Sequence, residues 1–450
     1  MKSSSIALLS VLFLTVFSSL SFAQPGDLFD DPSFGCVENS LAQRYVQEFR
    51  IDVASFGGLE LCNNSSDTKK LFNDLQIIEK GTFQAFGSNK LIKGFIPQDK
   101  YYSWMKSQTR SINRGDDIPF ATAYNSFGNF TMQDGWAILS TLGRVGTVIH
   151  EARHTAGYSH TRCNQGPYSD TSVSGCDRTY NEGGSHGVEM EYYARVSVLG
   201  ANFHPAYKAM ARLMAMGRTN FVFNQSPIQK REALVVVDGN KVLLMDQGQT
   251  LERDLALGNS EKLKTTSFGA ALFDGVKAFA LELYEDGFGP VRLVDDYSYF
   301  KMLRQDRGQG QVLDFEEFDQ GAKRFVVVLN QQSQITQYNF GQGKFNPYRT
   351  TGLQAQDFWT TSPAGERGLF VRTQSGALHK VNLGPQLTLS PLKMSWDSET
   401  LDLASVGNST LRLNTQGDLQ ELKAGQWTSI PGIRGDQITT VPLYDAFVVE

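Results

Sequence analysis

The residues best suited to chemistry lie together in His150-Glu151-Ala152-Arg153-His154-Thr155-Ala156-Gly157-Tyr158-Ser159-His160. Three of the 6 histidines of the chain fall in this one stretch. His150 and His154 are four residues apart, so on a helix their imidazoles stack on one face. Two neutral imidazoles so placed can hold one divalent ion. Glu151 follows the first of them and can reach a water on that ion. Gly157 lets the chain leave the helix, because glycine tolerates a positive φ. The turn then returns His160 as a third nitrogen donor. Three protein ligands leave one position for water, which is the arrangement of a catalytic Zn²⁺ site. A bare H-E-x-x-H recurs in unrelated chains and carries little weight. The glycine and third histidine at set distances make the signal specific.

The stretch fits H-E-x-x-H-x-x-G-x-x-H at every specified position and resembles the signature of the metzincin zinc metalloproteases. Beyond these eleven residues the resemblance extends only loosely, over Gln24–Arg218. It implies His150, His154 and His160 as zinc ligands, Glu151 as general base, and a protein or peptide substrate. It also implies a cleft divided near Gly157 and lined by a strand that precedes the helix, for which Asn129 to Met132 is the candidate. In such a site zinc acidifies a bound water and polarises the scissile carbonyl. Glu151 takes the water proton and delivers it to the leaving amine. Tyr158, Tyr180, Tyr192 and Arg153 are near in sequence as oxyanion donors, but none is assigned that role, and each reads first as a packing or surface residue. Metzincins carry a Met-turn after the third histidine. Met190, in Gly187-Val-Glu-Met-Glu-Tyr, is the best candidate, although Val188 to Val198 also reads as helix. The third ligand stays open: Glu189 or Glu191 on a later helix would give an H-E-x-x-H plus Glu site, and His186 is a further option.

Several elements must position these groups. Ser66 to Gly81 reads as a helix, with Leu71, Phe72, Leu75 and Ile78 at helical spacing after a Ser-Ser-Asp start. Phe120 to Thr131 reads as strand and turn. Asp134 to Ala156 carries a helical pattern that presents the motif, and Tyr192 to Met216 reads as helix with a break near Pro205. Together these make an α+β, zincin-like unit over residues 24–225. Gln24 to Leu61 is open to being a pro-segment, but nothing in it identifies a zinc-blocking switch.

The amino terminus reads as a cleavable signal peptide over residues 1–23. Lys2 is followed by an apolar run from Ile6 to Phe17 and by Ser21-Phe22-Ala23, with small residues at −3 and −1. The apolar run is short for a span of about 20 residues, so the expectation is a secreted or periplasmic protein without a transmembrane segment. In an oxidising compartment an even set of cysteines pairs. Local pairing gives Cys36–Cys62 and Cys163–Cys176 as the expected disulfides, and the absence of C-x2-C argues against a cysteine zinc site.

After Gln225 the texture changes to short strands and turns, with no convincing helix. Ala233-Leu-Val-Val-Val-Asp-Gly-Asn-Lys-Val-Leu-Leu-Met reads as a hairpin bent at Gly-Asn. Similar pairs begin near Ala278, Arg324, Gly368 and Thr410. A period of about 40–50 residues in all-β sequence suggests propeller blades. Residues 226–450 are therefore expected to form a β-propeller-like domain of five blades, closed by pairing of Ala446-Phe-Val-Val with the first blade. Asp314-Phe-Glu-Glu-Phe-Asp reads as a solvated acidic loop, with cation binding as the alternative.

The apolar share of 40% supports real cores. A formal charge of −5 gives no general pull toward nucleic acid. The reading is a secreted zinc metalloendopeptidase whose propeller binds a protein or cell-surface partner. Two alternatives stand beside it: a secreted binding or adhesion protein with a non-catalytic zinc site, and a zinc amidase acting on cell-wall peptides. The motif does not separate amide bonds in proteins from those in cell walls.

Overall fold

The computed structural model describes residues 34–447, except 86, 98–99, 116–120, 166–168, 170–173, 255–261, 267–268, 275–277, 285–290, 297–311, 321–322, 331, 342–343, 351–353 and 383–386. The expected signal peptide lies outside the described residues.

The amino-terminal half is built on helices. In chain order they are α1 (Asn39–Phe49), α2 (Asp67–Lys80), α3 (Tyr101–Gln108), α4 (Asp134–Ala137), α5 (Thr141–Thr155), α6 (Ser185–Leu199) and α7 (Pro205–Val222). Two small sheets accompany them. In the first, β1 (Ser111–Arg114), β2 (Ala123–Ser126) and β3 (Asn129–Met132) lie in the order β1-β3-β2. In the second, β4 (Thr161–Arg162), β5 (Ser174–Thr179) and β6 (Phe223–Gln225) lie in the order β4-β5-β6.

The helical pattern expected over Asp134 to Ala156 divides into α4 and α5, with Ser140 as the N-cap of α5 accepting from the Gly143 N–H. The pattern expected from Tyr192 to Met216 divides at Pro205, which has no N–H to donate and stands at the first turn of α7. His204 caps that helix, its ring nitrogen accepting from the Ala206 N–H at 3.1 Å. From Thr141 to Ala152 every residue of α5 is buried, which makes it the central helix. A buried pair, Arg144 with Asp74 at 3.1 Å, ties it to α2.

Of the segment considered as a pro-segment, residues 34–61 belong to this core, and residues 24–33 lie outside the described residues. Val37, Ala42, Tyr45, Phe49 and Ile51 are buried in the main hydrophobic cluster, and Cys36–Cys62 fastens the segment to the start of α2. A pro-segment must be able to leave, and this one holds aromatic core and a covalent bond.

The carboxy-terminal half is strand-rich and β-propeller-like. The first three of its strands are β7 (Lys230–Asp238), β8 (Lys241–Asp246) and β9 (Gln249–Asp254). Next come β10 (Lys262–Thr266), β11 (Gly269–Phe273), β12 (Ala278–Glu282) and β13 (Val291–Asp296) as one four-stranded antiparallel sheet. A second sheet holds β14 (Val312–Gln320), β15 (Lys323–Asn330), β16 (Ile335–Gly341) and β17 (Lys344–Thr350). A third holds β18 (Ala355–Thr361), β19 (Arg367–Thr373), β20 (Ala377–Asn382) and β21 (Thr388–Ser395). A fourth holds β22 (Thr400–Val406), β23 (Ser409–Asn414), β24 (Asp418–Lys423) and β25 (Gln426–Arg434). The last strand, β26 (Gln437–Tyr444), completes the sheet β26-β7-β8-β9. The strands β10, β14, β18, β22 and β26 touch in a closed cycle, with β26 against both β22 and β10.

Closure of the ring is corrected in detail. The closing strand is 437–444, paired with β7 from Gln437↔Val237 to Tyr444↔Lys230. Of the expected Ala446-Phe-Val-Val, Val448 and Val449 lie outside the described residues. Ala446 and Phe447 are buried in the core instead.

The acidic stretch at Asp314 is also corrected. It lies within β14, where Asp314 and Glu316 are buried and paired with Lys264 at 2.7 and 3.1 Å. Asp314, Asp357 and Asp402 occupy matching places on three successive inner strands. Each accepts a hydrogen bond from the N–H of the residue that follows it, at 2.8, 3.0 and 2.8 Å.

The two halves share one hydrophobic cluster. Met210 and Leu213 of α7 belong to the same cluster as Leu281, Tyr284 and Tyr444 of the strand-rich half. A buried pair, Arg212 with Glu282 at 3.1 Å, crosses that junction. No helix among the described residues is long and apolar enough to cross a membrane.

Candidate metal centre

One turn of α5 sets His150 and His154 with ring centroids 4.9 Å apart. The helix ends at Ala156, and Gly157 takes φ +95°. Nothing lies near the position of a Cβ there, so the need for glycine is conformational. The chain turns and returns the His160 ring to 4.9 Å from His150 and 4.6 Å from His154. The candidate ligand atoms of the three residues all lie within 4.8 Å of one another.

Each ring is held through Nδ1. His150 Nδ1 lies 3.2 Å from Glu189 Oε2, and His160 Nδ1 lies 3.1 Å from Asp177 Oδ1. His154 Nδ1 lies 2.6 Å from the Tyr158 carbonyl and 3.1 Å from Ser185 Oγ. These acceptors place a proton on Nδ1 of each ring and leave the Nε2 lone pairs for a ligand. Burial and the neighbouring imidazoles hold His150 well below the ordinary histidine range. Burial and His160 bring His154 down to about 4, and burial lowers His160 despite Asp177. At neutral pH all three rings are uncharged.

Two Nε2 lone pairs, of His150 and His160, face each other at 3.0 Å. Neutral rings so placed repel unless a cation joins them. The separation is near the roughly 3.3 Å expected of two nitrogens sharing one tetrahedral zinc. Glu151 adds a second sign. Its side chain is 4% exposed, and Oε2 is buried with no hydrogen-bond partner among the described residues. Burial, then the charge of Glu189, pushes its pKa up to about 8. Without a cation this carboxyl keeps its proton at neutral pH, and a divalent ion on the three imidazoles would favour its charged form. The donor set therefore fits a divalent transition metal beside a carboxyl oxygen with no partner among the described residues.

The alternatives for the third ligand separate by geometry. Glu191 turns away: its oxygens accept from the N–H groups of Lys93, Gly94 and Phe95 and from Arg195. Glu189 forms a second grouping with His150 and His186, sharing His150 through Nδ1. Its oxygens also take Tyr193 Oη at 3.0 Å and an Arg218 guanidinium. His186 stacks on His160 at 4.6 Å, and its Nε2 donates to the Gly175 carbonyl at 3.1 Å. His160 is thus the residue that joins His150 and His154, while Glu189 and His186 stand behind them.

Met190 is corrected. It lies within α6 with its side chain fully buried, so it forms no turn. Tyr180 and Tyr192 are core residues; Tyr180 donates to the Leu91 carbonyl. Tyr158 is 37% exposed, with the Arg153 guanidinium 3.7 Å above its ring.

The candidate cleft strand is corrected as well. β3 (Asn129–Met132) is the central strand, parallel to β1 and antiparallel to β2, so both of its edges are used. The strand beside the histidine cluster is β2. Its Asn125 donates to the Glu151 carbonyl and to Thr155 Oγ1, which pins β2 to α5. Among the described residues no strand pairs with the outer edge of β2.

Cys163–Cys176 closes the loop after His160 and joins β4 to β5, where Thr161 is opposite Cys176. Sequence reading missed Asp177, the next residue. Burial would raise its pKa, but the hydrogen bond from His160 and the nearby imidazoles bring it down to about 2. The one available signal was a carboxylate adjoining the cysteine that closes the loop of the third ligand.

No known family's sequence profile matches the chain, and no curated protein matches it. Among solved structures it is similar to the WD40 domain of SCAP from fission yeast, at 11% identity and TM-score 0.21, covering 46% of this chain and 60% of that one. It is similar to apo AztD from Citrobacter koseri, at 12% identity and TM-score 0.23, covering 47% and 62%. It is also similar to a DUF4784 family protein from Bacteroides caccae, at 10% identity and TM-score 0.30, covering 49% and 76%. The chain spans less than two thirds of the SCAP and AztD chains. Scores this low carry no argument, and the architecture rests on the sheets described above.

Proposed function

We propose that the chain is a secreted or periplasmic zinc-dependent metalloendopeptidase of metzincin-like type. His150, His154 and His160 would hold zinc, and Glu151 is the general base. The observation that carries this reading is the convergence of three neutral imidazoles beside a buried carboxyl oxygen that has no partner among the described residues. Bound zinc supplies Lewis acidity toward the scissile carbonyl and lowers the pKa of water. Glu151 Oε2 accepts a proton from water and returns it to the leaving amine. The outer edge of β2 supports main-chain pairing with an extended peptide, a common mode of peptide capture. The strand-rich half, sharing its core with α7, serves as a fixed platform that binds protein or cell-surface partners.

The test is metal analysis of purified protein, with wild type and Glu151→Ala assayed on a denatured protein library and on cell-wall peptides. One zinc per chain, with protein cleavage only by wild type, is the expected result. Cleavage confined to cell-wall peptides would favour an amidase. Zinc without any Glu151-dependent cleavage would favour a binding protein with a non-catalytic site.

A further inference from the structure

We propose that Asp177 is the positioning residue for the third imidazole: it fixes the tautomer and place of His160 and so sets the affinity of the centre for its metal. This rests on the zinc reading of the same site. His150 and His154 stand on a continuous helix, whereas His160 follows a glycine turn and is succeeded only by the two-residue strand β4. Helix geometry cannot hold it.

Asp177 supplies the missing constraint with both of its oxygens. Oδ1 accepts from His160 Nδ1 at 3.1 Å, and Oδ2 accepts from the Gly187 N–H at 3.1 Å in the first turn of α6. The carboxylate is thereby locked to a helix end, a favourable place for an anion. Its strand is locked in turn by Cys163–Cys176 and by the pairing of Thr161 with Cys176. The space around it is tight. A Cβ on Gly184 would lie 2.4 Å from Asp177 Oδ2, so that glycine leaves room for the carboxylate. Glu189 plays a related part for His150. It also engages His186, Tyr193 and Arg218, so changing it disturbs several side chains at once. Asp177 is the cleaner case.

The test measures zinc affinity of the full chain by competition with a chromophoric chelator, in Asp177→Asn, His160→Ala and the double variant. Asparagine keeps the shape but offers one acceptor oxygen where two are needed. Asp177→Asn is expected to weaken zinc binding about 10–100-fold. In the His160→Ala background it should add less than about twofold, because residues acting through one contact are not additive. The visible spectrum of the Co²⁺-substituted protein should change in Asp177→Asn. Gly184→Ala, which crowds the carboxylate without removing it, should also weaken zinc binding and covers the case in which Asp177→Asn does not fold. Equal loss in both backgrounds, or zinc bound equally by wild type and the Asp177 and Gly184 variants, would overturn the positioning role alone. A wild-type protein that takes up no zinc would overturn this role and the zinc reading together.

Discussion

Gly146 lies one turn before His150, and a methyl group there tests the packing on which the histidine cluster depends. In a helix interior, replacing glycine by alanine ordinarily stabilises by about 1 kcal/mol. Here the added carbon would lie 1.8 Å from Tyr193 Oη and 2.4 Å from Cζ, far inside contact distance. Tyr193 is fully buried on α6 and donates to Glu189 Oε1 at 3.0 Å. The ring must retreat by more than an ångström into a filled core. Overpacking of this kind costs about 1–3 kcal/mol. Disrupting the buried Tyr193–Glu189 hydrogen bond costs about 1–3 kcal/mol more. Against the helix gain, Gly146→Ala should destabilise by about 1–5 kcal/mol. The assay is urea unfolding of the chelator-treated protein, so that metal binding does not contribute, followed by zinc affinity of the folded variant. Glu189 holds His150, so zinc binding should weaken too. A Gly146→Ala protein as stable as wild type, or more so, would refute the packing of α5 on α6 described here.

Other predictions follow from buried groups elsewhere. Burial pushes Glu316 up to about 7, against the partial relief of Lys264, and burial with Asp314 nearby pushes Asp357 up to about 6. Both groups keep a proton in the folded chain that the unfolded chain releases. Their contribution is therefore fully present below about pH 4 and is lost as pH rises through about 7. Glu316→Gln should flatten the pH dependence of the melting temperature between pH 4 and 8, by the equivalent of about 3 kcal/mol for a shift of this size; an unchanged slope would count against the buried acid. Replacing Cys163 and Cys176 by serine should cost about 3 kcal/mol on the loop-entropy account and lower zinc affinity, both measurable on one preparation. Residues 24–225 expressed alone should aggregate or remain molten by near-ultraviolet circular dichroism, because the cluster around Met210 and Leu213 would lose Leu281, Tyr284 and Tyr444.

Much of the fold could be read locally. The helices near Ser66–Gly81 and over the motif follow from apolar spacing, and the break at Pro205 follows from a residue that cannot donate. The β-repeats follow from hairpin signals at a regular interval. Local signals mislead where a strand is judged by composition alone. Asp314 and Glu316 look like a solvated run until Lys264 is brought beside them from another sheet. Asn129–Met132 looks like a cleft strand until pairing on both sides makes it central. Ala446 onward has the right residues to close the ring, but an earlier strand fits the register with β7.

The sequence by itself determined which imidazoles gather: the spacing of His150, Glu151, His154, Gly157 and His160 depends only on helix period and a turn. It pointed by local pairing to Cys36–Cys62 and Cys163–Cys176, one of three possible connectivities, and the structure contains both bonds. Only the tertiary structure decided what stands behind the ligands. Asp177 and Glu189 reach His160 and His150 from β5 and α6, Glu191 is turned away to the 93–95 backbone and Arg195, and Met190 is placed inside a helix. Neither relation is written in local spacing, since each depends on how separate elements pack.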